Sequence, residues 1–141
     1  MAFFASNTVS ADIVLGQSDF DRNGINDDDQ DGKKDVNATA RTLNSPDIGV
    51  YSDGVRLFIT DPGNNRVLVW DSFPTTNFTP VDRVLGQGSF GLWAANDDID
   101  GIKEGSPSAR TLSNPTGVFH VGTQLFVTDT MNNRYLIYDF Q

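Results

Sequence analysis

One stretch of the sequence occurs twice, and this repeat limits the possible folds more than any other feature. Residues 57–71 read LFITDPGNNRVLVWD, and residues 125–139 read LFVTDTMNNRYLIYD, so nine of the fifteen positions are identical. Each copy is an apolar run, a polar turn and a second apolar run, and its β-branched and aromatic residues favour strands. Because the turn is too short for a crossover helix, each copy predicts an antiparallel hairpin.

The repetition extends beyond the hairpin. DIVLGQ at residues 12–17 returns as DRVLGQ at residues 82–87, and ARTL precedes a proline in both halves. A short apolar run after each proline, at residues 48–51 and 117–121, predicts one more strand per copy. The chain therefore consists of two units of about 70 residues, each with four short antiparallel strands. Such a sheet, repeated radially, forms a β-propeller.

We therefore predict an all-β fold, in which residues 1–141 form a single repeat domain of β-propeller blades. The first blade spans residues 46–87, and the second spans residues 115–141 and lacks its own last strand. Residues 12–17 are the last strand of a neighbouring or closing blade. The hairpin strands are apolar at nearly every position, which predicts that both faces of each sheet are covered. Because two blades leave a face and an edge open, we expect completion by strand exchange or oligomerisation.

Composition excludes several classes of function. The 141 residues include 10 basic and 19 acidic ones, a net charge of −9, which disfavours nucleic acid and anionic membranes as partners. The chain has no cysteine and one histidine, His120, so disulfides and thiolate chemistry are excluded and a histidine-based site is disfavoured. No apolar stretch approaches the roughly 18 residues of a membrane helix. Residues 1–11 lack the pattern of an intact signal peptide and are interpreted as an arm.

Two acidic loops, residues 19–35 and 96–104, hold eleven of the nineteen acidic residues. The first contains alternating carboxylates followed by a glycine, D-x-D-x-D-G-x-x-D, a spacing that directs oxygen ligands at a hard cation such as calcium. The predicted ligands are Asp27, Asp29, Asp31 and Asp35, with Asp19, Asp21 and Asn23 in an adjoining upstream site. The second loop offers Asn96 in the place of Asp27, together with Asp98, Asp100 and Glu104. The alternative is a solvated acidic loop that binds no ion.

Each hairpin turn is flanked by an aspartate and an arginine, Asp61 with Arg66 and Asp129 with Arg134. A carboxylate beside a cation could be catalytic. At the two ends of one turn, however, the pair is better interpreted as a charge-assisted contact that fixes the turn. We therefore predict no catalytic residue.

The repeat resembles the NHL-repeat family of β-propellers. The resemblance is carried by LFITD and NNRVLVW in residues 57–70, and by NPTGV at 114–118 with LFVTD and NNR in the second copy. The acidic loops resemble thrombospondin type 3 repeats. Together these resemblances imply an extracellular, calcium-stiffened propeller module with a structural, scaffolding or binding role. The alternative is a secreted lyase or hydrolase that uses the central channel.

The family resemblance also bears on assembly. Propellers of this family commonly have six blades, so three two-bladed chains would close one ring. The expected partner is therefore a second copy of the chain, in a homotrimeric ring or, as second choice, an open filament. The third possibility is that other blades of a longer chain supply the missing neighbours.

Overall fold

The structure, a computed structural model, describes residues 9–140, and these form an all-β fold with no α-helix. The first antiparallel sheet has the order β1-β2-β3-β4 and contains Val50–Ser52, Leu57–Asp61, Arg66–Trp70 and Arg83–Leu85. The second has the order β5-β6-β7 and contains Pro115–Val121, Gln124–Asp129 and Arg134–Asp139. The predicted antiparallel hairpins are β2–β3 and β6–β7, and both are confirmed.

Both hairpin turns have the same backbone. A single 3₁₀ turn, Pro62–Asn64, is followed by Asn65 at φ 53° and ψ 43°. Its counterpart, Thr130–Asn132, is followed by Asn133 at φ 53° and ψ 41°. Asparagine tolerates the left-handed region better than most residues with a side chain, which explains why the second asparagine of each NN pair is repeated.

The two sheets pack face to face through one apolar core. It consists of residues from both sheets and from the segments beside them: Phe58, Val67, Val69, Leu112, Leu125, Val127 and Phe140. The opposite face of the first sheet is also buried, with Leu57, Leu68 and Trp70 packed against Leu15 and Leu43 of the preceding segment. The predicted coverage of both faces is therefore confirmed for β2 and β3 of the first sheet, whereas Val50 on β1 is 62 % exposed.

For the second sheet the same prediction is wrong within a single chain. Strand β7 alternates between half-buried and exposed residues, with Tyr135 71 % and Ile137 57 % exposed. Among the described residues, the face that carries these two side chains has no partner sheet like the one that buries the equivalent face of the first sheet.

Within residues 9–140, the predicted strand at 12–17 makes a single bridge, a parallel one between Gly16 and Thr42. The equivalent bridge in the second unit joins Gly86, at the end of β4, to Thr111. Both glycines have positive φ, +87° and +93°, and a methyl group on Gly16 would lie 2.8 Å from a side-chain carbon of Leu43. The VLGQ motif therefore requires glycine for close packing and for its backbone conformation.

The strands after the two prolines differ in length. The predicted strand at 48–51 is found as β1, Val50–Ser52, because Ile48 lies in a tight turn. Its N–H donates to Asp47 Oδ1 at 2.9 Å, and its carbonyl accepts from Val50 N–H at 2.9 Å. Among the described residues, no helix is long and apolar enough to cross a membrane.

Candidate functional site

A buried ion pair closes the first hairpin turn. Arg66 Nε donates to Asp61 Oδ2 at 2.8 Å, and both side chains are fully buried. The guanidinium also donates to the carbonyl oxygens of Phe90 at 2.7 Å and Thr42 at 2.9 Å. The hydrogen bonds to these carbonyls compensate for much of the lost solvation of a buried charge. The pair therefore ties the hairpin to the segments that pack beside it.

The Asp61 carboxylate has two further donors. Asn44 N–H donates to Oδ1 and Asn64 Nδ2 to Oδ2, each at 2.8 Å. Burial raises the pKa of Asp61 above its usual range, and the facing Arg66 guanidinium opposes that shift. Asn64 also exchanges two amide hydrogen bonds, of 2.9 and 3.0 Å, with Asn26 in the first acidic loop. This network therefore joins the acidic loop to the hairpin turn.

The second unit repeats the network. Arg134 Nε donates to Asp129 Oδ2 at 2.7 Å, and Ser113 N–H donates to the other carboxylate oxygen at 2.7 Å. Asn132 bonds Asp129 and exchanges amide bonds with Asn96 at 2.8 and 3.2 Å. The difference lies in burial, because the Arg134 side chain is 26 % exposed.

These contacts correct one equivalence drawn from the sequence, in which Asn96 stands in the place of Asp27. Because Asn96 bonds Asn132 as Asn26 bonds Asn64, its true counterpart is Asn26. Sequence reasoning missed these two pairs of hydrogen-bonded side-chain amides, Asn26 with Asn64 and Asn96 with Asn132. The available signal was the tripeptide Asn-Asp-Asp, which occurs at residues 26–28 and again at 96–98.

The first acidic loop brings three carboxylates together. Oxygen atoms of Asp27, Asp29 and Asp35 all lie within 4.8 Å of one another. Asp27 is fully buried, and its two oxygens accept the N–H groups of Asp31 at 3.0 Å and Gly32 at 2.9 Å. Three convergent carboxylates with no nitrogen or sulfur ligand match the preference of calcium. Without a cation they would repel one another.

The fourth predicted ligand, Asp31, lies outside this group. Its carboxylate pairs with Lys33 Nζ at 2.5 Å and accepts the Lys33 N–H at 2.8 Å. The hydrogen bond from the Lys33 side chain lowers the pKa of Asp31. Lysine two residues on therefore draws Asp31 away from the other three carboxylates.

The upstream set does not converge either. Asp19 instead contacts Arg22 at 3.5 Å and accepts the Asp21 N–H at 3.1 Å. Within residues 9–140, the only group of three or more acidic or histidine side chains with metal-binding spacing is Asp27, Asp29 and Asp35. The predicted upstream ligands Asp19, Asp21 and Asn23 form no second group of this kind.

The second loop is held by a residue that sequence reasoning passed over. Asp97 is fully buried, and its oxygens accept the N–H groups of Asp100 at 3.0 Å and Gly101 at 2.9 Å. Asp27 holds its own loop in the same way, but across one more residue. The carboxylates of this shorter loop point elsewhere: Asp98 contacts Arg110 at 3.4 Å, and Asp100 accepts the Ile102 N–H. The predicted ligands Asn96, Asp98, Asp100 and Glu104 therefore do not form a group like that of the first loop.

A cleft of about 610 Å³ lies between the two sheets, where the β1–β2 and β5–β6 turns meet. Arg56 occupies its wall, with Nε 2.8 Å from Asp53 Oδ2 and Nη2 3.3 Å from His120 Nε2. Hydrogen bonds from the backbone N–H groups of Arg56 and Val55, together with the Arg56 side chain, lower the pKa of Asp53 to about 2. His120 is buried and stacks on Phe58 with the ring centroids 5.5 Å apart.

The cleft and the acidic loops lie at opposite ends of the strands. Asn26 joins the first acidic loop to the β2–β3 turn, whereas the cleft is formed at the β1–β2 turn. The cluster of Asp27, Asp29 and Asp35 and the cleft are therefore separate sites. Comparisons with protein-family models, curated proteins and solved structures find no match.

Proposed function

We propose that this chain is an extracellular, calcium-stabilised module of an NHL-type β-propeller. Its role is structural, scaffolding or binding rather than enzymatic. The propeller architecture is supported by the way the units pack. Two antiparallel meanders of equivalent sequence lie face to face, and different faces of the two meet, as in successive repeats of a repeat protein.

The observation that carries the calcium proposal is the convergence of Asp27, Asp29 and Asp35. A divalent cation there would offset the repulsion among the three carboxylates. It would also fix a loop that the Asn26–Asn64 amide pair already ties to the hairpin turn. Binding to the folded state alone stabilises that state by mass action. The cation therefore stiffens the fold and has no part in a reaction.

The proposed module assembles head to tail through strand complementation. Strand β7 is the outermost strand of the second sheet, and residues 12–17 lack an antiparallel partner among the described residues. Pairing of the two in different chains gives a homotrimeric ring if the rotation closes and a filament if it does not. Blades of a longer chain could take the same positions. The net charge of −9 argues against nucleic acid and membrane as partners.

The second candidate function is a secreted lyase or hydrolase. The observation in its favour is the cleft, where a carboxylate, a guanidinium and an imidazole come together at Asp53, Arg56 and His120. In that case calcium would belong to the reaction site. The cluster of Asp27, Asp29 and Asp35 instead lies at the other end of the strands from the cleft, which favours the stabilising role.

Calcium binding is tested by titrating the chain with calcium, with calorimetry and the melting temperature as the two readouts. We expect calcium to raise the melting temperature of the parent chain, and Asp27→Asn and Asp29→Asn to abolish that rise. Asp97→Asn is the matched control, because Asp97 holds its loop through the same pair of backbone hydrogen bonds but lies outside the carboxylate group. A flat titration together with a melting temperature unaffected by chelator would contradict the proposal.

A further inference from the structure

We infer that the open edge and the open face of the second sheet bind residues 12–17 and the first sheet of a second copy, in one defined register. In that register Ile13, Val14 and Leu15 of one copy lie opposite Ile137, Leu136 and Tyr135 of the next. This inference rests on the proposed head-to-tail assembly and specifies its interface.

The register comes from the pairing inside the first unit. Strand β4 pairs with β3 so that Arg83 faces Val69, Val84 faces Leu68 and Leu85 faces Val67. The sequence repeat relates DRVLGQ at 82–87 to DIVLGQ at 12–17, and RVLVW at 66–70 to RYLIY at 134–138. Applying both equivalences to the β3–β4 pairs gives the register of residues 13–15 on β7.

Residues 13–16 already lie where such a strand is needed. Gly16 makes the same parallel bridge to the first unit that Gly86, at the end of β4, makes to the second. Val14 is held in place from the side, because its N–H donates to Asn77 Oδ1 at 3.0 Å and its carbonyl accepts the Phe78 N–H at 3.1 Å. The segment therefore stands beside the first sheet as β4 stands beside the second.

The exposed face of the second sheet is equivalent to a buried face of the first. Phe58, Val67 and Val69 are fully buried against the second unit. Their counterparts are Phe126, Tyr135 and Ile137, and the last two are 71 % and 57 % exposed. A face with this composition is expected to pack on the same kind of surface that covers its counterpart.

The complementary surface is also present on the first sheet. Val50 is 62 % exposed, whereas Val118, which holds the equivalent position in the second unit, packs against the core between the sheets. In the inferred pairing Ile13 lies opposite Ile137, so two apolar residues meet where Arg83 faces Val69 inside the chain. A second copy therefore brings the apolar residues 13–15 to the edge of β7 and its first sheet to the exposed face of the second sheet. This contact removes Tyr135 and Ile137 from water.

Because the chain has no cysteine, the register can be tested by disulfide formation. The test variant carries Val14→Cys and Leu136→Cys, since directly opposed residues on paired strands have Cα separations compatible with a disulfide. Under mild oxidation we expect disulfide-linked oligomers on a non-reducing gel. The positive control, Leu68→Cys with Val84→Cys, uses the equivalent pair inside the chain and should form its disulfide without any change in mass. An off-register variant, Val14→Cys with Ile137→Cys, should cross-link at least tenfold more slowly.

The oligomeric state of each variant, measured by light scattering, distinguishes the outcomes. An assembled protein whose Val14–Leu136 pair fails to cross-link, while the Leu68–Val84 control does, would overturn the register and leave the head-to-tail proposal standing. Equal cross-linking of the off-register pair would overturn the register as well. A chain that stays monomeric would overturn both the inference and the assembly on which it rests, and would leave calcium binding to its own test.

Discussion

Arg66 and Arg134 make the same ion pair in two different environments. Arg66 is fully buried with Asp61, whereas the Arg134 side chain is 26 % exposed beside a buried Asp129. Removing one partner of a buried pair leaves an uncompensated charge, which costs about 3–5 kcal/mol. We therefore expect Arg66→Ala to lower the free energy of unfolding by about 3 kcal/mol and Arg134→Ala by about 1 kcal/mol.

Urea denaturation of the two variants measures this difference, and each serves as the matched control for the other. Similar small losses for both would mean that water reaches Asp61 once Arg66 is removed. Similar large losses would mean that partial exposure does not moderate the cost at Arg134. Either result would contradict the assignment of the difference to burial.

Asp53 gives the fold a defined dependence on pH. Its pKa is about 2 in the folded chain, below the usual 3.8, because its carboxylate accepts backbone N–H groups and the Arg56 side chain. A depressed pKa contributes stability that is present above the unfolded value and is lost as the pH falls from about 4 to about 2. Asp53→Asn should therefore cost about 1 kcal/mol at neutral pH and almost nothing at pH 2. A cost that stays constant across this range, measured by denaturation at several pH values, would contradict this account.

At the scale of the element, the hairpins could be predicted because their signals are local. Apolar runs on either side of a four-residue turn specify two strands, and the paired asparagines supply the residue that takes the left-handed conformation at Asn65 and Asn133. The amide pairs Asn26–Asn64 and Asn96–Asn132 were not predicted, because they join segments 38 and 36 residues apart. No periodicity within either segment indicates that contact.

The acidic loops show how far a local spacing brings carboxylates together, while calcium binding itself stays a prediction. The spacing of the first loop predicted four converging carboxylates, and three of them converge, while Lys33 draws Asp31 away. In the second loop Asp97 accepts the N–H of a glycine four residues on, whereas Asp27 accepts that of a glycine five residues on. The shorter loop forms no comparable cluster of three carboxylates among the described residues. Asp27 and Asp97 hold their loops through backbone hydrogen bonds in both cases, so an aspartate is needed at each position whether or not a cation binds.

At the scale of the molecule, the two units share one hydrophobic pattern but have different surroundings. The sequence predicts the same buried faces for both, but among the described residues the two hairpin strands are covered on both faces only in the first unit. The exposure of Tyr135 and Ile137 therefore reflects which neighbour is present, and no feature of their own strand could reveal it. An edge strand with exposed aromatic and aliphatic residues is a template for association unless a partner covers it.

The solution mass is the most direct prediction at this scale. We expect the parent chain to assemble at micromolar concentration, with a mass of three times 15.4 kDa for a closed ring or a broad distribution of larger masses for a filament. Ile137→Lys places a charge in the middle of the inferred interface, so this variant should remain folded and run as a monomer. Ile102→Lys is the matched control, because Ile102 is 66 % exposed in the second acidic loop, away from that face. Its mass should match that of the parent. A parent chain that is folded and monomeric by light scattering would show that the apolar face of the second sheet is stable in water, and head-to-tail assembly of this chain would then have to be abandoned.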